Sequence, residues 1–385
     1  MGAALLTPGS LAILEAVFRP DDRSKAIGAW SGFSGVGTAI GPFIGGYLVA
    51  AASWRYIFLI NLPLAVVVVA VTLRHVPESR DPAATALIDV TGGVLVTLGL
   101  IGLTYGLIEG PGGNWTKPLV LAGLLGGLAL LAAFLWWEHR TPSPMLPLNL
   151  FSSRQFTATN VVTFVVYGGI GGALFLLPIQ LQQVSGYSAL ESGIALLPVT
   201  AITLALSQRS GALAGRIGPR LQMSVGPVLV GLGLGLFTLI TASGDYLTEV
   251  LPGVLVFGFG LAVAVAPLTS TALSSVPPEH AGMASAVNND VARFGGLLAV
   301  AILPALAGIT GTAYLHPDAL AAGFRTAVLI SGALCAAGGL LAAVTITNPA
   351  RGQRVSDASM PEQCLHCGLD APPLTTTTGQ TAATG

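Results

Sequence analysis

The chain has 385 residues, 53% hydrophobic and 9% charged, with a formal net charge of −1. Soluble domains carry about a quarter charged residues, so this balance excludes a water-soluble protein, and near-neutral charge leaves no basic footprint for nucleic acid. The 50 Gly and 25 Pro sit within apolar runs, where they mark close helix packing and kinks rather than disorder.

In chain order, eleven apolar runs read as membrane-crossing helices, near 2–18, 26–50, 55–73, 88–108, 118–137, 156–178, 190–208, 221–241, 249–273, 282–310 and 324–347. The predicted fold is therefore all-α, a polytopic bundle of about eleven transmembrane helices in a lipid bilayer. The first run has no basic leader, so no cleavable signal peptide is read. Met1 stands at the head of an apolar segment with no polar flank. After Asn348 the chain turns polar and Thr-rich, from Thr375 to Thr378, and is predicted to be disordered.

The second run carries Gly37-x-x-x-Gly41-Pro42-x-x-Gly45-Gly46. On a helix Gly37, Gly41 and Gly45 form one bare stripe on which a second helix can approach to backbone contact. Pro42 has no N–H, and its ring crowds the carbonyl of Thr38, so a kink and an unpaired carbonyl are predicted there. In lipid such a carbonyl is tolerated only against protein or beside a wet cavity.

Positive charge gives the orientation, since Lys and Arg concentrate in cytoplasmic connections. The connections after the odd-numbered runs hold twelve of the sixteen: Arg19, Arg23, Lys25, Arg74, Arg80, Arg140, Arg154, Arg209, Arg216, Arg220, Arg351 and Arg354. The other connections hold Arg55, Lys117 and Arg325, and Arg293 lies near the start of the tenth run. This predicts a multi-pass cell-membrane protein with its C-terminus in the cytoplasm.

The Gly37–Gly46 pattern resembles the fifth-span signature of proton-coupled exporters of the major facilitator superfamily, with all five fixed positions matched. The opening residues, from Met1 to Ile13, resemble the middle of the fourth span of its fourteen-span drug:proton antiporters. Residues Ser53 to Pro63 look like the start of the sixth span. Leu177 to Gln182, Gly186-Tyr187-Ser188, Glu191-Ser192-Gly193 and Leu197-Pro198 resemble the seventh-to-eighth connection. Gly282 to Ser285, with Asn288, Arg293 and Gly295-Gly296, resembles the penultimate span. The resemblance implies that three spans precede the opening in the family, including the acid thought to carry the coupling proton; merged or uncounted spans are the alternative. It also implies four regions: 1–75, a remnant of the N-terminal half; 76–140, two additional linker spans; 141–348, a C-terminal six-span half; and 349–385, the cytoplasmic tail. The function implied is proton-coupled export of drugs or other small amphipathic or cationic organic molecules. The alternatives are export of an endogenous metabolite or antibiotic, and a shortened, non-transporting remnant.

Candidate sites follow. Residues 211–220 are read as a cytoplasmic loop resembling the superfamily's loop motif, with Gly211, Arg216, Gly218 and Arg220 in place and Gly215 where the motif usually has Asp. Arg216 or Arg220 could latch a helix C-terminus; alternatively both are positive-inside anchors. Asp290 and Arg293, three apart on one helix, share a face and can pair. They either sit at the membrane boundary, if the apolar stretch runs from Phe294 to about Thr310, or handle protons at the cavity mouth. Trp30, Ser34, Asn61, Asn160, Tyr167, Gln180, Gln182 and Asn288 are the candidates for a substrate cavity. Glu15, Asp89, Glu109, Glu138, Glu191 and Glu249 fall near span ends and are read as solvated. No cofactor is expected. Cys364-Leu365-His366-Cys367 has metal-like spacing without a second pair nearby, so no metal site is predicted. All five histidines lie in loops or at span ends, and no span carries paired acids, which argues against an enzyme.

Overall fold

In the computed structural model the described residues are 37, 41, 44–49, 51–75, 89–110, 114–276 and 281–348. The runs at 2–18 and most of 26–50, the candidates Trp30, Ser34 and Pro42, and the tail from 349 lie outside them.

Among the described residues all regular structure is helical, and nine stretches are long and apolar enough to cross a membrane. Each answers one of the nine runs predicted between 55 and 347. A single turn, Tyr56–Leu59, leads into α1 (Asn61–His75). A hairpin follows, α2 (Val90–Glu109) and α3 (Pro118–Arg140). Then come α4 (Arg154–Gln183), the short α5 (Ala189–Ala195) leading into α6 (Leu197–Ile217), α7 (Pro219–Leu236), α8 (Leu251–Ser274), α9 (Ala281–Leu306) and α10 (Pro317–Thr345).

Local chemistry sets the helix starts. Proline stands in the first two positions of α3, α6, α7, α8 and α10, where its missing N–H is no loss. Elsewhere side chains cap the free amides: Asp89 accepts from Gly92 N on α2 and Ser153 from Phe156 N on α4, while Ser188 and Glu191 form a reciprocal capping box on α5.

Several predicted boundaries move, three of them with a clear local cause. Helix α4 continues through Pro178 to Gln183, burying Leu181, because a membrane helix packed in protein can absorb one missing N–H. Helix α10 begins seven residues earlier than predicted, at Pro317, and buries Leu320 and Phe324. The third concerns residues 211–220, which are not a loop. Residues 211–217 finish α6, Gly218 alone makes the turn at φ 89°, and α7 starts at Pro219. Glycine is the residue for that backbone, since a Cβ strains a positive φ.

The core is built around α4, which packs on α9 and α10, while α7 packs on α8 and α10 and α8 on α6. Leu176, Leu177, Leu181, Phe237, Phe257 and Phe324 are fully enclosed in it. Two helix pairs meet at backbone distance. A Cβ on Gly171 of α4 would lie 2.7 Å from Gly296 Cα of α9, and one on Gly102 of α2 would lie 2.9 Å from Gly123 O of α3.

Candidate functional site

The α4–α9 contact holds a buried polar network. Asn288 Nδ2 donates across it to Asn160 Oδ1 at 3.1 Å and to Thr163 Oγ1 at 2.9 Å. Asn160 in turn donates to Phe156 O at 3.0 Å. All three side chains are buried. One to two turns further along, Gly168 and Gly171 face Gly295 and Gly296, bringing the backbones together. Asn160 and Asn288, both predicted to line a cavity, are hydrogen-bonded to each other across the two helices.

The opposite face of α9 is polar. Asn289, Asp290 and Arg293 are all exposed there, in the span Met283–Leu306. Asn289 Nδ2 only reaches back to Ser285 O, at 3.3 Å. Among the described residues no carboxylate lies within 4.0 Å of Arg293, so the predicted Asp290–Arg293 ion pair is not formed.

The helix stops at Leu306, short of the predicted Thr310, and Gly308 turns the chain at φ 77°. From Phe294 to Leu306 is about 20 Å of helix, against about 30 Å of hydrocarbon. Asp290 lies two turns into the span Met283–Leu306. Ionisable groups within a membrane span are costly in lipid and are ordinarily found beside water or protein.

The comparisons with known proteins give the family. Residues 1–301 match the sequence profile of the Major Facilitator Superfamily. The chain belongs to that superfamily. It is 34% identical over 318 residues to the multidrug resistance protein Stp of Mycobacterium tuberculosis, covering 82% of this chain and 59% of that one. It is also 34% identical over 304 residues to the tetracenomycin C resistance and export protein of Streptomyces glaucescens, covering 79% and 56%. With the methylenomycin A resistance protein of Bacillus subtilis it shares 31% over 345 residues, covering 89% and 72%. The chain thus spans under two thirds of the length of the first two.

As a superfamily bundle, the structure also places the remaining candidates. Of the glycine motif, a Cβ on Gly46 would sit 2.8 Å from Leu190 Cα and 3.0 Å from Ala189 O, at the start of α5. Among the described residues nothing lies within 4 Å of a Cβ on Gly37, Gly41 or Gly45. Gly211 and Arg216 are helical, in the last two turns of α6, and Arg216 is exposed. Arg220 Nε donates to Ala343 O at 2.8 Å, in the last turn of α10. Tyr167 is half-buried on α4, one turn beyond Thr163. Gln180 is 1% exposed with neither amide atom hydrogen-bonded, whereas Gln182 is exposed. Asn61 is exposed, its Nδ2 3.3 Å from both Ile57 O and Phe58 O. These candidates do not converge on one cavity. The site drawn together is the α4–α9 contact with its charged outer face.

Two acids read as solvated from the sequence behave otherwise. Glu138 is 3% exposed, and its Oε2 accepts from Leu146 N at 2.9 Å. Asp89 accepts from Trp137 Nε1 at 2.9 Å as well as from Gly92 N. The signal available in the sequence was Asp89 three residues before Gly92, a glycine with no turn to make.

Proposed function

We propose that this chain is the body of a proton-coupled exporter of small amphipathic or cationic organic molecules. The observation that carries this reading is the exposed Asn289–Asp290–Arg293 face on a membrane span that is otherwise locked to α4. A charged strip at that depth is sustained by a hydrated path, and a titratable carboxyl beside a cation can exchange a proton as the path opens and closes. The Gly46–Leu190 approach supports a second element of the reading. It sets the end of the glycine motif against the second half of the bundle, where bare backbones can seal the path between strokes. The four-region division, the cell-membrane location and the cytoplasmic C-terminus belong to the same proposal, the last resting on the distribution of Lys and Arg. The printed activities of the relatives, multidrug resistance and antibiotic export, agree with the substrate class.

The test is efflux of a panel of cationic dyes and antibiotics from cells or vesicles holding the full chain, with and without a protonophore. Extrusion that the protonophore abolishes, and that Asp290→Asn reduces to background at unchanged expression, supports the reading. Extrusion indifferent to both overturns the proton coupling. No extrusion of any member of the panel, from a folded and inserted chain, overturns transport by this chain alone.

A further inference from the structure

At the end of the hairpin where α2 begins and α3 ends, two carboxyl groups converge. One oxygen of each is fully used: Asp89 Oδ1 accepts from Gly92 N at 2.8 Å and Trp137 Nε1 at 2.9 Å, and Glu138 Oε2 accepts from Leu146 N at 2.9 Å. The other two, Asp89 Oδ2 and Glu138 Oε1, are buried with no hydrogen-bond partner. Both lie over Gly92. Glu138 Oε1 is 2.8 Å from the position of the Cβ that Gly92 lacks, and Asp89 Oδ2 is closer still. Glycine at 92 is what leaves room for the two oxygens to share one spot.

Among the described residues nothing nearby neutralises them. On α3, His139 and Arg140 are exposed, and the Arg140 guanidinium lies over the Trp136 ring at 4.4 Å; Lys117 stands at the helix's other end. On α2 the remaining acid, Glu109, is likewise at the far end. The connection 141–147 carries no ionisable side chain, and the charged groups of α9, which packs on α2, are the exposed Asp290 and Arg293. Two buried carboxylates facing each other without a cation repel and stay unsolvated; one proton between them gives one oxygen a donor and the other an acceptor.

We propose that Asp89 and Glu138 form a proton-binding site, holding one shared proton that fastens the α2–α3 hairpin to the connection leading into α4. The fastening is specific because Leu146, held by Glu138, packs on the cluster of Leu150, Phe156, Ala284 and Val287, with Val291 alongside. That cluster seats the turn of α9 bearing Asn288 and Asp290. Loss of the proton charges both carboxyls, separates them, and frees Leu146 from its anchor. The site stands on this geometry alone and does not depend on transport.

The experiment uses the purified full chain in lipid vesicles, across a pH series, with two readouts. Infrared difference spectra follow the protonated-carboxyl band, and hydrogen exchange follows the Leu146 amide. In the wild type one carboxyl band should disappear as pH rises, and Leu146 should lose protection at the same midpoint. Glu138→Gln keeps an acceptor for Leu146 and supplies a permanent donor to Asp89, so the band should vanish and Leu146 should stay protected throughout. Asp89→Asn should also remove the band. A band and an exchange profile unchanged in both variants would overturn the site. So would protection of Leu146 at high pH by added Mg²⁺ or Ca²⁺, which would make the pair a cation site.

Discussion

The α2–α3 hairpin and the α4–α9 pair are joined by the same device and used differently. In both, glycines let backbones touch: Gly99, Gly102, Gly123 and Gly127 in the hairpin, Gly168, Gly171, Gly295 and Gly296 in the other pair. The hairpin presents apolar side chains such as Leu98, Ile101, Leu125 and Leu128 to its surroundings. Helix α9 presents Asn289, Asp290 and Arg293. Glycine contact is thus a packing solution available to any membrane pair, and the exposed charge on α9 is what sets the second pair apart. The buried polar groups differ as well. Asn160, Thr163 and Asn288 satisfy one another within the span, whereas Asp89 and Glu138 sit at the hairpin's end with an oxygen each unpaired.

The comparison breaks most readily at the glycines. Gly171→Leu forces a large side chain where a Cβ alone would already meet Gly296 Cα, and overpacking of this kind costs about 1–3 kcal/mol or more. Because α4 also carries Gly169 against Ser331 O and Cys335 of α10, the bundle has no slack to absorb it. The variant should fail to give a folded peak by size exclusion in detergent. Gly102→Leu should yield a folded but less stable protein; equal loss in both would erase the distinction between the pairs.

Next in size, Asn288→Ala strands Asn160 Oδ1 and Thr163 Oγ1, and a buried group left unpaired costs about 1–3 kcal/mol. A fall in the thermal midpoint of several degrees is expected, with none for Asn289→Ala on the exposed face. Gln180→Met should move the other way, raising stability by about 1 kcal/mol, because the native amide is buried with no partner. A fall in transport alongside that gain would show that the unpaired amide is kept for solute. The smallest effect should come from Arg220→Ala, which removes the donor to Ala343 O at a helix end and should cost under about 1 kcal/mol.

How much of this was legible in the residues depended on range. Span existence could be read because nine long apolar runs need no tertiary information, and the turn at Gly218 lay inside a motif already marked by glycines. Its helical approach could not be read: Gly211 and Gly215 suggest a loop in water, and both are helical positions of α6. Arg220 was read as a helix-end cation, but only the fold shows that its helix is α10, more than a hundred residues away in sequence. Asn160 and Asn288 were named as polar residues in spans; that they bond to each other is a long-range fact that no single run contains. Glu138 was misjudged for the same reason. Its nearness to the span end suggested water, while the amide of Leu146 and the backbone of Gly92 close over it.

The most direct test of the account is aqueous accessibility of the α9 face in the membrane. With Cys364 and Cys367 replaced by Ser and Cys335 left buried, Asn289→Cys and Leu297→Cys are labelled in vesicles with a membrane-impermeant maleimide. The account predicts that Asn289→Cys reacts from water and that the rate changes when a proton gradient is imposed. A cysteine at 289 that is unreactive from water yet reached by a lipid-phase quencher would contradict it.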